Sequence, residues 1–237
     1  MKNILKGFCV EKEKYKMFTE VLKRFNKAGI LSEMMIAGSW NIFLYEKYFK
    51  KDVEKIPPIR TIDVDFLIPQ PLKMNHKLDV PEILKDLGYV VQFEGNRGFI
   101  KLLHPDLIIE FIVPEKGKGR DDKPVSLPNL GVNAVALRFM NVLTDNSIKV
   151  KFEGITVNIA HPAALAFHYL LIYPRRKNRD KAEKNLDHAV AILRLLIEKK
   201  KNKEIVGVFK SLHKNWRKDT IKTLKDKDLE DAAKILE

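Results

Sequence analysis

With 237 residues, 45% of them hydrophobic and 32% charged, the chain has the composition of an ordinary globular protein of one large or two small domains. Its longest apolar runs, such as 107–113, fall far short of the ~20 residues of a membrane span, and no leader-like start precedes them, so no membrane partner and a cytoplasmic location are expected. One cysteine, Cys9, excludes an intrachain disulfide and reads as a small half-buried thiol, while a net charge of +13 points to polyanionic partners.

Residues 11–29 carry Tyr15, Phe18, Val21, Leu22 and Phe25 among lysines, the pattern of an amphipathic helix that ends near Gly29. A short apolar run, 34–37, stops at Gly38-Ser39, and 41–49 reads as a helix, so the pattern is strand, Gly-Ser turn, helix. Pro57-Pro58 makes 51–60 a loop. Ile62-Asp63-Val64-Asp65-Phe66-Leu67-Ile68 alternates, turns apolar and stops at Pro69, which predicts a strand with Asp63 and Asp65 on one face. A helix over 81–87 and a strand over 89–93 follow, then an antiparallel hairpin from 98–103 and 107–113 about His104-Pro105-Asp106. The Gly-, Lys- and Pro-rich stretch 114–130 reads as a loop with a mobile tip at 116–120, and 133–143 fits helix and strand equally. Residues 148–152 and 155–159 make a second hairpin about Glu153-Gly154.

Beyond His161-Pro162 the texture is helical: 163–172, 179–199, then shorter helices to the end. A boundary near residue 160 therefore divides a mixed α/β part, 1–160, from a basic helical part, 161–237. Residues 175–237 hold 19 Lys/Arg against 11 Asp/Glu, +8 of the total +13. That makes the last quarter the expected polyanion-facing part; the bland alternative is a set of solvated lysine faces, as in heat-adapted proteins.

Two carboxylates on one face of a strand sit only ~6–7 Å apart and repel each other, and a strand of Ile, Val, Phe and Leu gains nothing from them. A divalent cation removes that repulsion and turns the pair into a ligand set. Glu110 repeats the anomaly inside Leu107-Ile108-Ile109-Glu110-Phe111-Ile112-Val113. If the two strands are neighbours, three carboxylates converge, the arrangement that two-metal phosphoryl transfer uses. Gly38-Ser39 between strand and helix adds a turn whose backbone can approach phosphate closely. A salt-bridge cluster of the acids with Arg60 or Arg97 is the structural alternative.

In the order Ile36-Ala37-Gly38-Ser39, Asp63-Val64-Asp65, Glu110, the chain resembles the nucleotidyltransferase superfamily of the DNA polymerase β type. It is more closely similar to a minimal bacterial and archaeal branch related to AbiEii toxins, through Gly38-Ser39-Trp40, Thr61-Ile62-Asp63-Val64-Asp65-Phe66-Leu67-Ile68-Pro69, Leu130-Gly131-Val132, His161-Pro162-Ala163-Ala164, Arg175-Arg176 and Lys181-Ala182-Glu183-Lys184-Asn185. The resemblance covers about residues 30–195. It implies an α+β fold, a polymerase β-like mixed sheet with flanking helices followed by a C-terminal helical part that completes the cleft.

It implies further an NTP substrate, Mg²⁺ or Mn²⁺, and transfer of a nucleoside monophosphate to a hydroxyl of tRNA or other RNA, protein or a small molecule, with an antitoxin protein as a possible partner. By that resemblance Asp63, Asp65 and Glu110 are catalytic metal ligands, and Gly38, Ser39, Lys181, Lys184, Arg175 and Arg176 hold the nucleotide. Asn185 stands where the family's helix usually carries Asp, which puts full activity in question. Lys177, Lys181, Lys184 and His188 fall on one helix face. Arg175 and Arg176 either clamp phosphate or end a helix, and His161 and His168 read as core or capping groups. The rival to an enzyme is a nucleotide- or RNA-binding module that kept the fold and lost turnover.

Overall fold

Spacings of three and four residues give helix α1 (Lys12–Lys27) a single apolar face, and Phe18, Val21, Leu22 and Phe25 on it are all fully buried. Burial of each such side chain contributes roughly 1.5–3 kcal/mol. The computed structural model that shows this describes residues 12–58, 61–74, 76–117, 123–227 and 229–236; Cys9, Arg60 and most of the 116–120 loop tip lie outside them.

Nine strands among the described residues build one mixed sheet: β1 (Met35–Ala37), β2 (Asp63–Leu67), β3 (Val90–Glu94), β4 (Phe99–Leu103), β5 (Ile108–Pro114), β6 (Val125–Leu127), β7 (Val132–Leu137), β8 (Ser147–Phe152) and β9 (Ile155–Ala160). The order is β3-β4-β5-β2-β1-β9-β8, with β7 beside the far end of β5 and β6 on β7. Both expected hairpins, β4–β5 and β8–β9, are antiparallel. Strands β2 and β5 are parallel neighbours. The stretch that read equally as helix or strand divides into β7 and, after a turn through Phe139 at φ +63°, the short helix α5 (Asn141–Thr144).

Alternation splits β2 and β5 into two faces. Val64, Phe66, Ile109 and Phe111 point to the side that α1 covers, where Phe25 meets Phe66 edge-on at 5.0 Å and Phe66 lies 6.2 Å from Phe111. The opposite face carries the acids. Helices α2 (Trp40–Leu44) and α3 (Glu46–Phe49) follow β1 at once, and α4 (Val80–Leu84) precedes the β3–β4 hairpin.

After β9 the chain is helical: α6 (Pro162–Ile172), α7 (Arg179–Glu198), α8 (Asn202–Ser211), α9 (Lys214–Lys225) and α10 (Glu230–Leu236). Every residue of α6 from Pro162 to Leu171 is buried, as expected of a helix apolar on all sides, and it packs on α5, α7, α8 and α9. His161 caps it, its Nδ1 accepting from the Ala163 N–H at 3.2 Å. Asn178 caps α7 in the same way, accepting from Lys181 N–H at 2.9 Å. Lys177 therefore precedes the helix, and the expected four-residue face shrinks to Lys181, Lys184 and His188. No described helix is long and apolar enough to cross a membrane.

Candidate active site

Register decides which side chains meet. Asp65 is paired with Glu110 across the parallel β2–β5 ladder, Glu110 with Lys101 across the antiparallel β5–β4 ladder, and Asp65 with Ala37 on β1. Paired residues on neighbouring strands ~4.8 Å apart project to the same face. Asp63 lies two residues earlier on β2 and so joins the same side. The three acids thus share one face, on strands that are direct neighbours, and all are half-buried.

Gly38 closes β1 against this row. It takes φ +63°, and a Cβ there would stand 2.7 Å from Asp65 Oδ2, closer than real contacts allow. Only glycine accepts both the conformation and the neighbour. Ser39 follows as the residue before α2, half-buried and without a capping hydrogen bond from its hydroxyl. The turn is held from below by Asn41, fully buried: its amide donates to the carbonyls of Ile36 and Gly38, both at 3.0 Å, and its Oδ1 accepts from Ala160 N–H at 2.8 Å. Tyr45 adds a hydroxyl bond to the Ala160 carbonyl at 2.9 Å. Asn41 and Tyr45 therefore lock the Gly-Ser turn to the end of β9.

Burial, then the charges of Glu110 and Asp63, push the Asp65 carboxyl from 3.8 up to about 7, against the opposing pull of Arg176 and Lys101. Glu110 is engaged with Lys101 at 2.6 Å, and Lys101 also meets Glu94 at 2.7 Å. Burial draws the Lys101 ammonium down, but its hydrogen bonds to Glu110 and Glu94 outweigh this and hold it above its usual range. No three His, Cys, Asp or Glu side chains among the described residues are gathered tightly enough to hold a metal ion as they stand. The cation paired with Glu110 is Lys101, on the neighbouring strand; Arg60, one of the two arginines that the sequence suggested for such a pair, lies outside the described residues.

Residues 16–212 match the family model described as Nucleotidyltransferase. The chain belongs to that family. Among solved structures, it is similar to an antigenic nucleotidyltransferase-like protein from Paracoccidioides brasiliensis, at 12% identity and TM-score 0.52, over 95% of this chain and 94% of that one. Two structures of the antibiotic-resistance factor ANT(2'')-Ia also align. One is a solution structure at 11% identity and TM-score 0.42, over 80% of this chain and 92% of that one; the other, in complex with adenylyl-2''-tobramycin, aligns at 12% and 0.42, over 79% and 97%. A search of curated proteins finds no match. The first structure supports the α+β nucleotidyltransferase fold.

In this nucleotidyltransferase the helical part faces the acid row through α6, α7 and the turn between them. Arg176 is half-buried, its charge acts on Asp65, and its Nε is buried without a partner among the described residues. Burial raises the Tyr169 hydroxyl, with Arg176 and Asp65 among its other influences, and the ring lies 6.2 Å from His188. His188 is fully buried, and burial with the Lys184 charge lowers it to about 4; burial does the same to His168. The Asn185 amide nitrogen is buried without a partner among the described residues. Lys184 is half-buried and Lys181 exposed.

Arg175 is engaged elsewhere. It donates to the Leu171 carbonyl at 2.6 Å, pairs with Asp219 of α9 at 2.9 Å and lies 5.0 Å over the Phe139 ring, so it closes α6 and ties it to α9. Of the expected site residues, the fold brings Gly38, Ser39, Asp63, Asp65, Glu110 and Arg176 together and leaves Arg175 and Lys181 at the periphery. Sequence reasoning passed over Asn41, Tyr169 and Lys101. Lys101 carried a signal, a charged residue inside Phe99-Ile100-Lys101-Leu102-Leu103, the same anomaly that marks Glu110.

Proposed function

We propose that this family member is a divalent-cation-dependent enzyme that moves a nucleoside monophosphate from an NTP to an acceptor hydroxyl, with Asp63, Asp65 and Glu110 as its catalytic carboxylates. The observation that carries this reading is the register: three acids on one face of adjacent strands, beside a glycine that meets the central one. The donor set has the hard carboxylate oxygens that Mg²⁺ or Mn²⁺ prefers, and burial, with the repulsion of Glu110 and Asp63 added to it, raises Asp65 to about 7, a cost that a cation relieves. Asp63 and Asp65 would hold it with Glu110 completing the set, and the bound ion supplies charge neutralisation for the triphosphate.

The chain's own residues account for the rest. The Gly38-Ser39 turn, pinned by Asn41, holds the β- and γ-phosphates against backbone amides and the Ser39 hydroxyl. Arg176, whose Nε has no partner among the described residues, neutralises phosphate charge, and Lys184 and Lys181 add to the field from α7. Glu110 takes the proton of the attacking hydroxyl, whose oxygen bonds to the α-phosphorus as the bond to the bridging oxygen breaks and pyrophosphate leaves.

The acceptor we assign is RNA. Lys214, Arg217, Lys218 and Lys222 lie on one face of α9 around Ile221 and form no ion pair among the described residues, unlike the Lys–Glu pairs of α1, α4 and α8. An unbalanced basic face is what a phosphate backbone requires. The AbiEii-like motifs extend this reading to a toxin restrained by an antitoxin, which growth arrest on induced expression tests.

A second reading, a binding module without turnover, is favoured by two observations: Glu110 is paired with Lys101, and Asn185 stands on α7. Incorporation of α-phosphate label from each NTP into bulk RNA and into protein, with and without Mg²⁺, separates the two. Mg²⁺-dependent label that disappears in Asp63→Ala/Asp65→Ala supports the enzyme; Mg²⁺-independent nucleotide binding without transfer overturns it.

A further inference from the structure

The row of side chains on the acidic face does not stop at the acids. Lys101 is the register partner of Glu110 on β4, and Gln92 the partner of Lys101 on the edge strand β3. The ammonium is held at two seats at once, Glu110 at 2.6 Å and Glu94 at 2.7 Å. The seats differ. Glu110 and Lys101 are 23% and 22% exposed, whereas Glu94 is 57% exposed at the sheet edge. Glu110 is the inner, partly dehydrated seat, and Glu94 the outer, solvated one.

A backbone pairing, not a flexible approach across solvent, places the ammonium on the carboxylate proposed as a metal ligand. Cation and ammonium compete for that carboxylate, because the two positive charges repel each other in a half-dehydrated setting. We infer that Lys101 is an internal counter-ion of the acid row, neutralising Glu110 in the metal-free protein and withdrawing to Glu94 when a divalent cation takes Glu110. Lys101 is on this account a positioning residue. It offsets the charge of Glu110 before metal arrives and sets how tightly metal is held afterwards. This rests on the metal reading of Asp63, Asp65 and Glu110, and the test separates the failure of each.

The test is Mn²⁺ binding to the full chain without nucleotide, read from the free-Mn²⁺ electron paramagnetic signal and by titration calorimetry. Parent, Lys101→Met, Lys101→Gln, Glu94→Gln and Asp65→Asn are compared, each checked by circular dichroism and melting. Removing the ammonium is expected to tighten Mn²⁺ binding by about tenfold or more in both Lys101 variants. Glu94→Gln, which leaves Lys101 only the inner seat, is expected to weaken it, and the double variant Glu94→Gln/Lys101→Met to match Lys101→Met. A folded Lys101→Met or Lys101→Gln with unchanged or weaker Mn²⁺ affinity overturns the counter-ion role. If Asp65→Asn abolishes binding in that case, the metal reading survives and only the role of Lys101 falls. If Mn²⁺ binds none of the variants, or binds Asp65→Asn as it binds the parent, both fall together.

Discussion

Replacing Gly38 with alanine sets a methyl carbon 2.7 Å from Asp65 Oδ2 while the residue stays at φ +63°. Two costs follow, and they register in different measurements. Holding alanine in the left-handed region costs about 1–2 kcal/mol. The contact is shorter than the ~3.5–4.0 Å of an unstrained pair by about 1 Å, and the oxygen is the far end of a side chain, so Asp65 turns aside at modest expense in stability. In the role proposed for Asp65, turning aside is what transfer cannot tolerate, since a displacement of about 1 Å at a reacting group costs on the order of 10²-fold in rate.

Gly29 provides the control. It stands at φ +75° with nothing within 4 Å of a built Cβ, so Gly29→Ala carries the strain without the collision. Both variants are expected to lose about 1–2 kcal/mol in urea unfolding. Only Gly38→Ala is expected to lose transfer of α-phosphate label by about 100-fold or more. Equal activities in the two variants would refute the claim that Gly38 is glycine because of Asp65.

Three further outcomes test other parts of the structure. Asn41→Ala removes three buried or part-buried hydrogen bonds at the base of the turn, and is expected to cost about 3 kcal/mol or more in urea unfolding, where a surface Asn control costs little. Because Asp65 is raised from 3.8 to about 7, the folded chain keeps a proton that the unfolded chain gives up between those values, so stability falls as pH rises through that window, by up to about 4 kcal/mol. Asp65→Asn is expected to remove that fall and to exceed the parent in stability above pH 7, and parallel unfolding curves from pH 4 to 8 would contradict the charge crowding. Alanine at Lys214, Arg217, Lys218 and Lys222 together is expected to reduce the salt slope of RNA binding by up to about 3, at ~0.7 per phosphate contact, with melting unchanged; an unaltered slope removes α9 from the interface.

Periodicity made the scaffold legible. Asp63 and Asp65 stood out because charged residues two apart in an apolar strand share a face by the pleat itself, and Gly38-Ser39 stood out because a strand and a helix met there. The β4–β5 hairpin could be read from its turn for the same local reason. Asn41 carried no such mark: inside Trp40-Asn41-Ile42-Phe43-Leu44 it looks like a helical polar residue, and only the approach of β9 gives its amide oxygen the Ala160 N–H while its nitrogen turns back to the Ile36 and Gly38 carbonyls. The 133–143 stretch stayed open because Phe139 takes a left-handed turn that local pattern does not encode.

Local sequence therefore determined the kind of chemistry on offer, since the cost of a carboxylate in a greasy strand is paid where it stands, whatever lies across from it. Tertiary pairing decided the rest. The parallel register of β2 with β5 turned two separate anomalies into one row, the antiparallel register of β4 set Lys101 on Glu110, and the closing of α6 sent Arg176 toward Asp65 while fastening Arg175 to Asp219. Register is a relation between distant segments, and no window of one segment contains it.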